Sequence, residues 1–192
     1  MTDWESCYQE NDFPWDKGTP SPGLVDFLDQ ETDLVGKTVC VPGCGMGHDV
    51  REWAKHGFDA TGVDIAPTAQ RMAQERTAKG LSSVSFEVAD FLTDSPKARF
   101  DWVFEHTLFC AIQPEQRDQY VESVTRWLKP GANYLAVYYL LKEDGGPPFP
   151  STRKEILKRF SPSFELIKEW VPRSYPNREN LELMIWWQAK EA

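Results

Sequence analysis

The stretch Val41-Pro-Gly-Cys-Gly-Met-Gly-His-Asp49 constrains this chain more than any other. It follows a short apolar run, Thr38-Val-Cys-Val41, and precedes a segment in which Val50, Trp53 and Ala54 share one helical face. Gly43, Gly45 and Gly47 alternate across the join. Glycine reaches positive φ without penalty and lets a ligand approach the backbone closely. The start of the following helix adds unpaired N–H groups and the positive end of a dipole. Strand, glycine turn and helix in this order open a doubly wound α/β sheet, whose ligands bind at the carboxyl ends of the strands. A tight turn with no ligand is the plainer alternative.

The remaining pattern extends the same reading. Pro22 opens a helix carrying Leu24, Val25, Phe27 and Leu28. Gly57 ends the helix begun at His48, as a left-handed cap. Phe58 to Val63 is a second strand closed by Asp64, and Pro67 to Gly80 a helix with Ala69, Met72 and Ala73 inward. Val84 to Val88 and Phe100 to Phe104 are strands three and four. Tyr120, Val121, Val124, Trp127 and Leu128 have helical spacing, terminated by Lys129-Pro-Gly131. Tyr134 to Leu141 is a continuous apolar strand, as expected where both faces of a sheet are covered. A helix from about Thr152 to Phe160 precedes two alternating strands, Phe164 to Trp170 and Leu181 to Gln188, joined by the loop Val171 to Asn180. The expected fold is one α/β domain over 1–192, with a mostly parallel sheet and an antiparallel C-terminal hairpin. Residues 1–22 hold Trp4, Tyr8, Phe13 and Trp15 among acids, apolar groups that a flap packed on the domain would cover.

Composition narrows the partners. The 192 residues are 41% hydrophobic, 13% aromatic and 27% charged, enough for a sizeable core. Lys plus Arg is 21 against 30 Asp plus Glu, a net charge of −9. That charge repels phosphate backbones and anionic lipid surfaces, so neither a nucleic acid nor a membrane is the expected partner. No apolar run is long enough to span a bilayer, and Met1 to Trp15 has acids where a signal peptide needs bases. A cytoplasmic setting and four free thiols, Cys7, Cys40, Cys44 and Cys110, are expected. Cys44 and His48 have C-x3-H spacing without a second pair, so no metal site is expected. Cys110 lies in an apolar setting that makes a thiol inert.

The glycine turn discriminates among ligands. A dinucleotide fingerprint requires glycine where His48 stands, and the P-loop Lys is absent. Two further elements follow in order. Asp64 closes the second strand in Gly62-Val-Asp-Ile-Ala66, where a carboxylate can accept both ribose hydroxyls or cap a helix. Asp90-Phe91 follows the third strand, where an acid can accept from an adenine amino group and a ring can cover the base, or where the pair can serve as cap and core.

Together these elements resemble class I S-adenosylmethionine-dependent methyltransferases, whose turn is G-x-G-x-G, and among them the thiopurine methyltransferase-like family. The likeness is strongest to its halide and thiol methyltransferase branch. Trp4-Glu-Ser-Cys-Tyr8 and Pro14-Trp-Asp-x-Gly18-x-Pro20 resemble that branch's N-terminal segment. Val41 to Val50 resembles its VPGCG-x-GHDV loop, Phe100 to Ile112 its fourth strand, and Gly145-Gly-Pro-Pro-Phe149 its GGPPY loop. The resemblance implies contacts to S-adenosylmethionine from Trp4, Trp15, Gly43, Asp64, Asp90 and Phe91, with Tyr8, Gly45, Ile65 and His106 beside them. Tyr8 stands where plant members have tryptophan, His106 where they have tyrosine, and Glu105 replaces an aspartate.

The implied reaction is methyl transfer to a small soft acceptor: a thiol, bisulfide, thiocyanate or halide. Such an acceptor needs position and desolvation more than a base. Trp4 and Trp15 in the lid, and Phe109, Tyr138 and Tyr139 after the fourth and fifth strands, are candidate aromatic walls. Tyr138 or Tyr139 could orient the acceptor with its hydroxyl, or be packing. His106 could take a proton from a neutral thiol or be a hydrogen-bonded wall. Alternatives are a thiopurine or a selenium or tellurium acceptor on the same fold, a non-catalytic S-adenosylmethionine-binding module, and an NAD enzyme, which His48 disfavours. The length permits a monomer.

Overall fold

The computed structural model describes residues 2–79 and 81–191. A single seven-stranded sheet organises them: β1 (Thr38–Pro42), β2 (Asp59–Asp64), β3 (Val84–Val88), β4 (Phe100–His106), β5 (Leu128–Tyr139), β6 (Phe164–Trp170) and β7 (Glu182–Ala189). Their order across the sheet is β3-β2-β1-β4-β5-β7-β6. The first five strands pair in parallel, and β7 runs antiparallel to both of its neighbours. The expected C-terminal hairpin forms, with β7 on its inner side and β6 at the edge. Among the described residues six α-helices accompany the sheet: α1 (Trp4–Gln9), α2 (Pro22–Gln30), α3 (His48–Lys55), α4 (Pro67–Glu75), α5 (Arg117–Trp127) and α6 (Arg153–Phe160). Helix α4 ends at Glu75, and the stop expected at Gly80 lies outside the described residues.

Two-residue alternation along the strands sends side chains to two cores. On one face Tyr134, Ala136 and Tyr138 of β5 meet Tyr120 and Trp127 of α5 and Phe160 of α6. On the other, Leu135 and Val137 join Trp102 and Phe104 of β4, Trp53 of α3 and Phe27 of α2. Burial on both faces explains why β5 reads as an unbroken apolar run.

Strand β5 starts six residues earlier than its sequence suggests, because Lys129-Pro-Gly131 continues the chain into the sheet. Phe100 pairs with Leu128 and Trp102 with Asn133, so the register shifts opposite this segment. Proline lacks an N–H to give the ladder and is accommodated where the ladder is already broken.

Candidate active site

The carboxyl ends of β1, β2, β3, β4 and β5 surround a cavity of about 800 Å³, within the range of small-molecule sites. Its floor is the turn after β1. Gly43 has φ +62° and Gly45 φ +49°, the left-handed region that excludes most side chains. A Cβ on Gly45 would stand 2.8 Å from the Tyr8 hydroxyl, and one on Gly43 3.0 Å from Leu108 Cδ1. The turn is therefore a cradle whose space a side chain would take.

Asp64 fixes that cradle to β2. Its Oδ2 accepts from Gly45 N at 2.9 Å and its Oδ1 from Ala66 N at 3.0 Å. Burial pushes its carboxyl up, partly countered by these N–H groups. Each oxygen keeps a lone pair for a ribose hydroxyl. The next residue, Ile65, is half exposed, an apolar side chain presented to the cavity. Asp90 accepts from Leu92 N at 2.9 Å through Oδ1. Phe91 reaches the cavity from the core, where its ring packs on Tyr120 and Trp127.

The N-terminal segment forms the cover. Asp3 caps α1 by accepting from Ser6 N at 3.1 Å. Glu5 then reaches the start of α4, accepting from Thr68 N at 2.9 Å and Thr68 Oγ1 at 2.6 Å. A carboxylate at a helix N-terminus is favoured by the unpaired N–H groups there. Trp15 Nε1 donates to the Tyr8 hydroxyl at 3.2 Å, and the Trp4 and Trp15 rings meet edge to face at 5.3 Å. Below them His48 Nε2 lies 3.1 Å from Asp16 Oδ1, which holds the Asp16 carboxyl below the usual range. Asp49 Oδ1 accepts from Ser21 N at 2.7 Å and secures the root of the segment.

On the far side, strand parity assembles a charged group. His106 ends β4, Tyr139 ends β5, and Tyr139 pairs in register with Glu182 at the start of β7. His106 Nδ1 lies 3.3 Å from Asp49 Oδ2 and its Nε2 3.7 Å from Glu182 Oε1. Burial works against a charge on the ring, yet the two carboxylates outweigh it and raise the imidazole to about 9. Burial likewise opposes ionisation of Glu182, and His106 beside it holds that carboxyl below its usual range. An imidazolium donates from both nitrogens. The two carboxylates thus favour the charged form of His106 on this wall, which disfavours a role as base.

Just beyond, Thr107 adopts φ +65°, a strained conformation for a β-branched residue. Glu105 stabilises the turn, its Oε2 accepting from Leu108 N at 2.6 Å and Phe109 N at 3.2 Å. Burial pushes the Glu105 carboxyl up to about 7. Cys110 is buried, with its thiol pushed by burial up to about 12, the inert state its apolar setting suggests.

The cavity brings together Trp4, Tyr8, Trp15, Gly43, Gly45, Asp64, Ile65, Asp90, Phe91, His106 and Tyr139. Two expected wall residues lie elsewhere. Tyr138 faces the opposite side of β5 from Tyr139, is 1% exposed, and donates to the Tyr134 hydroxyl at 3.3 Å. It cannot orient an acceptor. Phe109 packs edge to face on Tyr138 at 5.5 Å in the same core. Sequence reasoning missed Asp49, Tyr175, Arg178 and Glu182. Asp49 stood within the Val41 to Val50 loop and Glu182 was an acid near the start of an apolar strand, while Tyr175 and Arg178 are fixed by contacts distant in sequence.

A glycine turn, a buried carboxylate on one of its N–H groups, an apolar residue beside it and an aromatic cover match the parts of S-adenosylmethionine. On this sheet they define a class I S-adenosylmethionine-dependent methyltransferase. The family model described as Thiopurine S-methyltransferase (TPMT) matches residues 1–174. Thiocyanate methyltransferase 1 of Arabidopsis thaliana is 32% identical over 191 residues, 96% of this chain and 83% of that protein. Probable thiol methyltransferase 2 of the same plant is 34% identical over 172 residues, 85% of this chain and 74% of that one. The N-methyltransferase NodS of Bradyrhizobium japonicum WM9, solved with S-adenosyl-L-homocysteine, shares the fold at a TM-score of 0.71 and 16% identity, over 87% of this chain and 84% of that one. This chain belongs to the thiopurine S-methyltransferase family.

Proposed function

We propose that this methyltransferase acts on a small soft nucleophile: thiocyanate, bisulfide, a halide or a simple thiol. The observation that carries the reading is the placing of His106 on the cavity wall between Asp49 and Glu182, two carboxylates that favour its charged form. With its pKa near 9, about one ring in a hundred is neutral at pH 7. A general base must be unprotonated when the acceptor arrives. Halides and pseudohalides are nucleophilic at any physiological pH, and thiols are once ionised, so such acceptors need no base from this ring.

When bound, S-adenosylmethionine supplies a methyl group on a sulfonium, open to in-line displacement. The residues that would hold it are Gly43, Gly45 and Asp64, with Ile65, Asp90 and Phe91 on the side suited to a base. Trp4, Tyr8 and Trp15 exclude water from above, and a drier site leaves an anion more reactive. The names of two relatives carry thiocyanate and thiol as acceptors, which supports the reading. The family's own name favours a second, a heteroaromatic thiol.

A cytosolic setting, for which the sequence permits a monomer, belongs to the same proposal, and the net charge of −9 supports the further reading that no nucleic acid is a partner. Among the described residues no helix is long and apolar enough to cross a membrane. The test is a sealed headspace assay with S-adenosylmethionine and one acceptor at a time: thiocyanate, iodide, bisulfide, an aryl thiol or a thiopurine. Methylated product from the first three supports the proposal. Product from the thiopurine alone establishes the second reading, and none from any acceptor despite cosubstrate binding rejects both.

A further inference from the structure

One buried carboxyl in this molecule is only half used. Glu105 is fully buried near the end of β4. Its Oε2 accepts from Leu108 N and Phe109 N, while its Oε1 is sealed in protein with no hydrogen-bond partner among the described residues. Register sets Glu105 beside Ala136 of β5, which Tyr134 and Tyr138 flank on the same face. Tyr120 of α5 faces it across that core, and Cys110 faces it from the turn, with Arg117 and Arg178 near that thiol. The three phenols and the thiol all titrate above their usual ranges because they are buried, so none supplies a charge. His106, the next residue along β4, favours the ionised carboxyl. A carboxylate oxygen buried without a partner favours protonation. The turn that Glu105 holds reaches the site. Thr107 stands there at φ +65°, and its carbonyl accepts from the Cys110 thiol at 3.1 Å. Leu108 covers the glycine cradle: its Cδ1 is 3.0 Å, and its Cβ 3.5 Å, from where a Cβ on Gly43 would stand. Both residues line the cavity.

We propose that Glu105 is a positioning residue for the cosubstrate: ionised, it tightens the turn from Thr107 to Phe109 and holds Leu108 against the Gly43 cradle, and a proton on Oε1 slackens both. The inference concerns the cosubstrate side of the cavity and is the same for any acceptor. An ionised acceptor makes hydrogen bonds roughly twice as strong as a neutral one, and Oε2 receives two of them. A β-branched residue at positive φ persists only where its surroundings hold it, so weaker bonds to Leu108 N and Phe109 N release the turn first. Leu108 is the part of that turn in reach of the cradle. Burial raises the carboxyl to about 7, against the two N–H groups and His106, so both forms are present under physiological conditions. A carboxyl raised in the folded state contributes stability that is complete below its ordinary value of 4.5 and is lost as pH rises through about 7. The turn is thus tightest where this group stabilises the fold least, as expected of a charge kept for positioning.

The test is S-adenosylhomocysteine affinity, measured by calorimetry between about pH 6 and pH 8, with thermal melts beside it. The parent should bind at least about threefold more tightly at the upper end. Glu105→Gln keeps the shape and an oxygen for the two N–H groups but does not titrate. Its affinity should match the parent's at the lower end, fall below it at the upper end, and be flat between. The melting temperature of the parent should fall, relative to Glu105→Gln, from pH 4.5 to about 7. Leu108→Ala leaves Glu105 in place and removes its route to Gly43. It should keep the parent's melting profile and lose the pH dependence of affinity, a split that a merely structural role for Glu105 would not produce. That variant also decides the matter if Glu105→Gln fails to fold. A flat parent affinity overturns the proposal, as does a Glu105→Gln affinity that follows pH as the parent's does. Leu108→Ala with the parent's pH dependence overturns it too. No acceptor enters these measurements, so they stand apart from the headspace assay and its outcome.

Discussion

At the scale of single residues, His106 shows how neighbours decide chemistry. An isolated imidazole titrates near pH 6.5 and would suit a base. Here Asp49 and Glu182 raise it to about 9 against its burial. A folded-state pKa above the unfolded value contributes stability that is complete below the unfolded value and is lost as pH rises through the folded one. The melting temperature of the parent should therefore fall, relative to His106→Gln, between about pH 6.5 and 9. Thermal unfolding of both proteins across that range is the measurement, and parallel curves would show that the ring carries no such charge. His106 was legible as a site residue because it ends a strand beside the motif. Its charge state was not, because Asp49 lies 57 residues earlier and Glu182 belongs to a strand near the other end of the chain.

At the scale of elements, the lid and the glycine turn are one device. Tyr8 of α1 rests its hydroxyl 2.8 Å from where a Cβ on Gly45 would stand. Gly45→Ala should displace Tyr8 and lower S-adenosylhomocysteine affinity at least about tenfold, the equivalent of about 1.4 kcal/mol. Gly57→Ala is the control. Gly57 also has positive φ, at +85°, but a Cβ there meets nothing within 4 Å. It should cost about 1 kcal/mol in stability and leave affinity unchanged. Calorimetry and thermal melts on the two variants separate the effects. Element positions were readable where glycine, proline and apolar periodicity agreed, as at Pro22, His48 and Pro67. They misled at Lys129-Pro-Gly131, where a signal for a helix end also admits a strand start beside a shifted ladder.

At the scale of the whole molecule, two cores clamp the sheet and hold the strand ends that carry the site. Phe160 is the hub of one: it is fully buried, stacked on Tyr134 at 5.2 Å and on Trp187 at 5.7 Å. Phe160→Ala should destabilise the fold by about 3–5 kcal/mol through lost burial and a cavity. Urea unfolding measures that loss, and a value under about 1 kcal/mol would mean the core closes over the gap. The inner position of β7 matters as much. It places Glu182 beside Tyr139 and carries the Pro176–Arg178 turn over the cavity, so the last quarter of the chain completes a site begun in the first.

The sequence by itself determined the alternating fold, the glycine turn, the acids at the ends of β2 and β3, and the aromatic cover. Each depends on about ten consecutive residues, within which a strand end, turn and helix start dictate one another. Tertiary structure decided which tyrosine of the Tyr138-Tyr139 pair meets the cavity, because strand parity acquires a direction only when helices cover each face. It also decided which carboxylates face His106 and the charge they favour there. Those properties arise from fields and hydrogen bonds across the sheet, and no local pattern records which distant carboxylate a folded chain will bring within 4 Å.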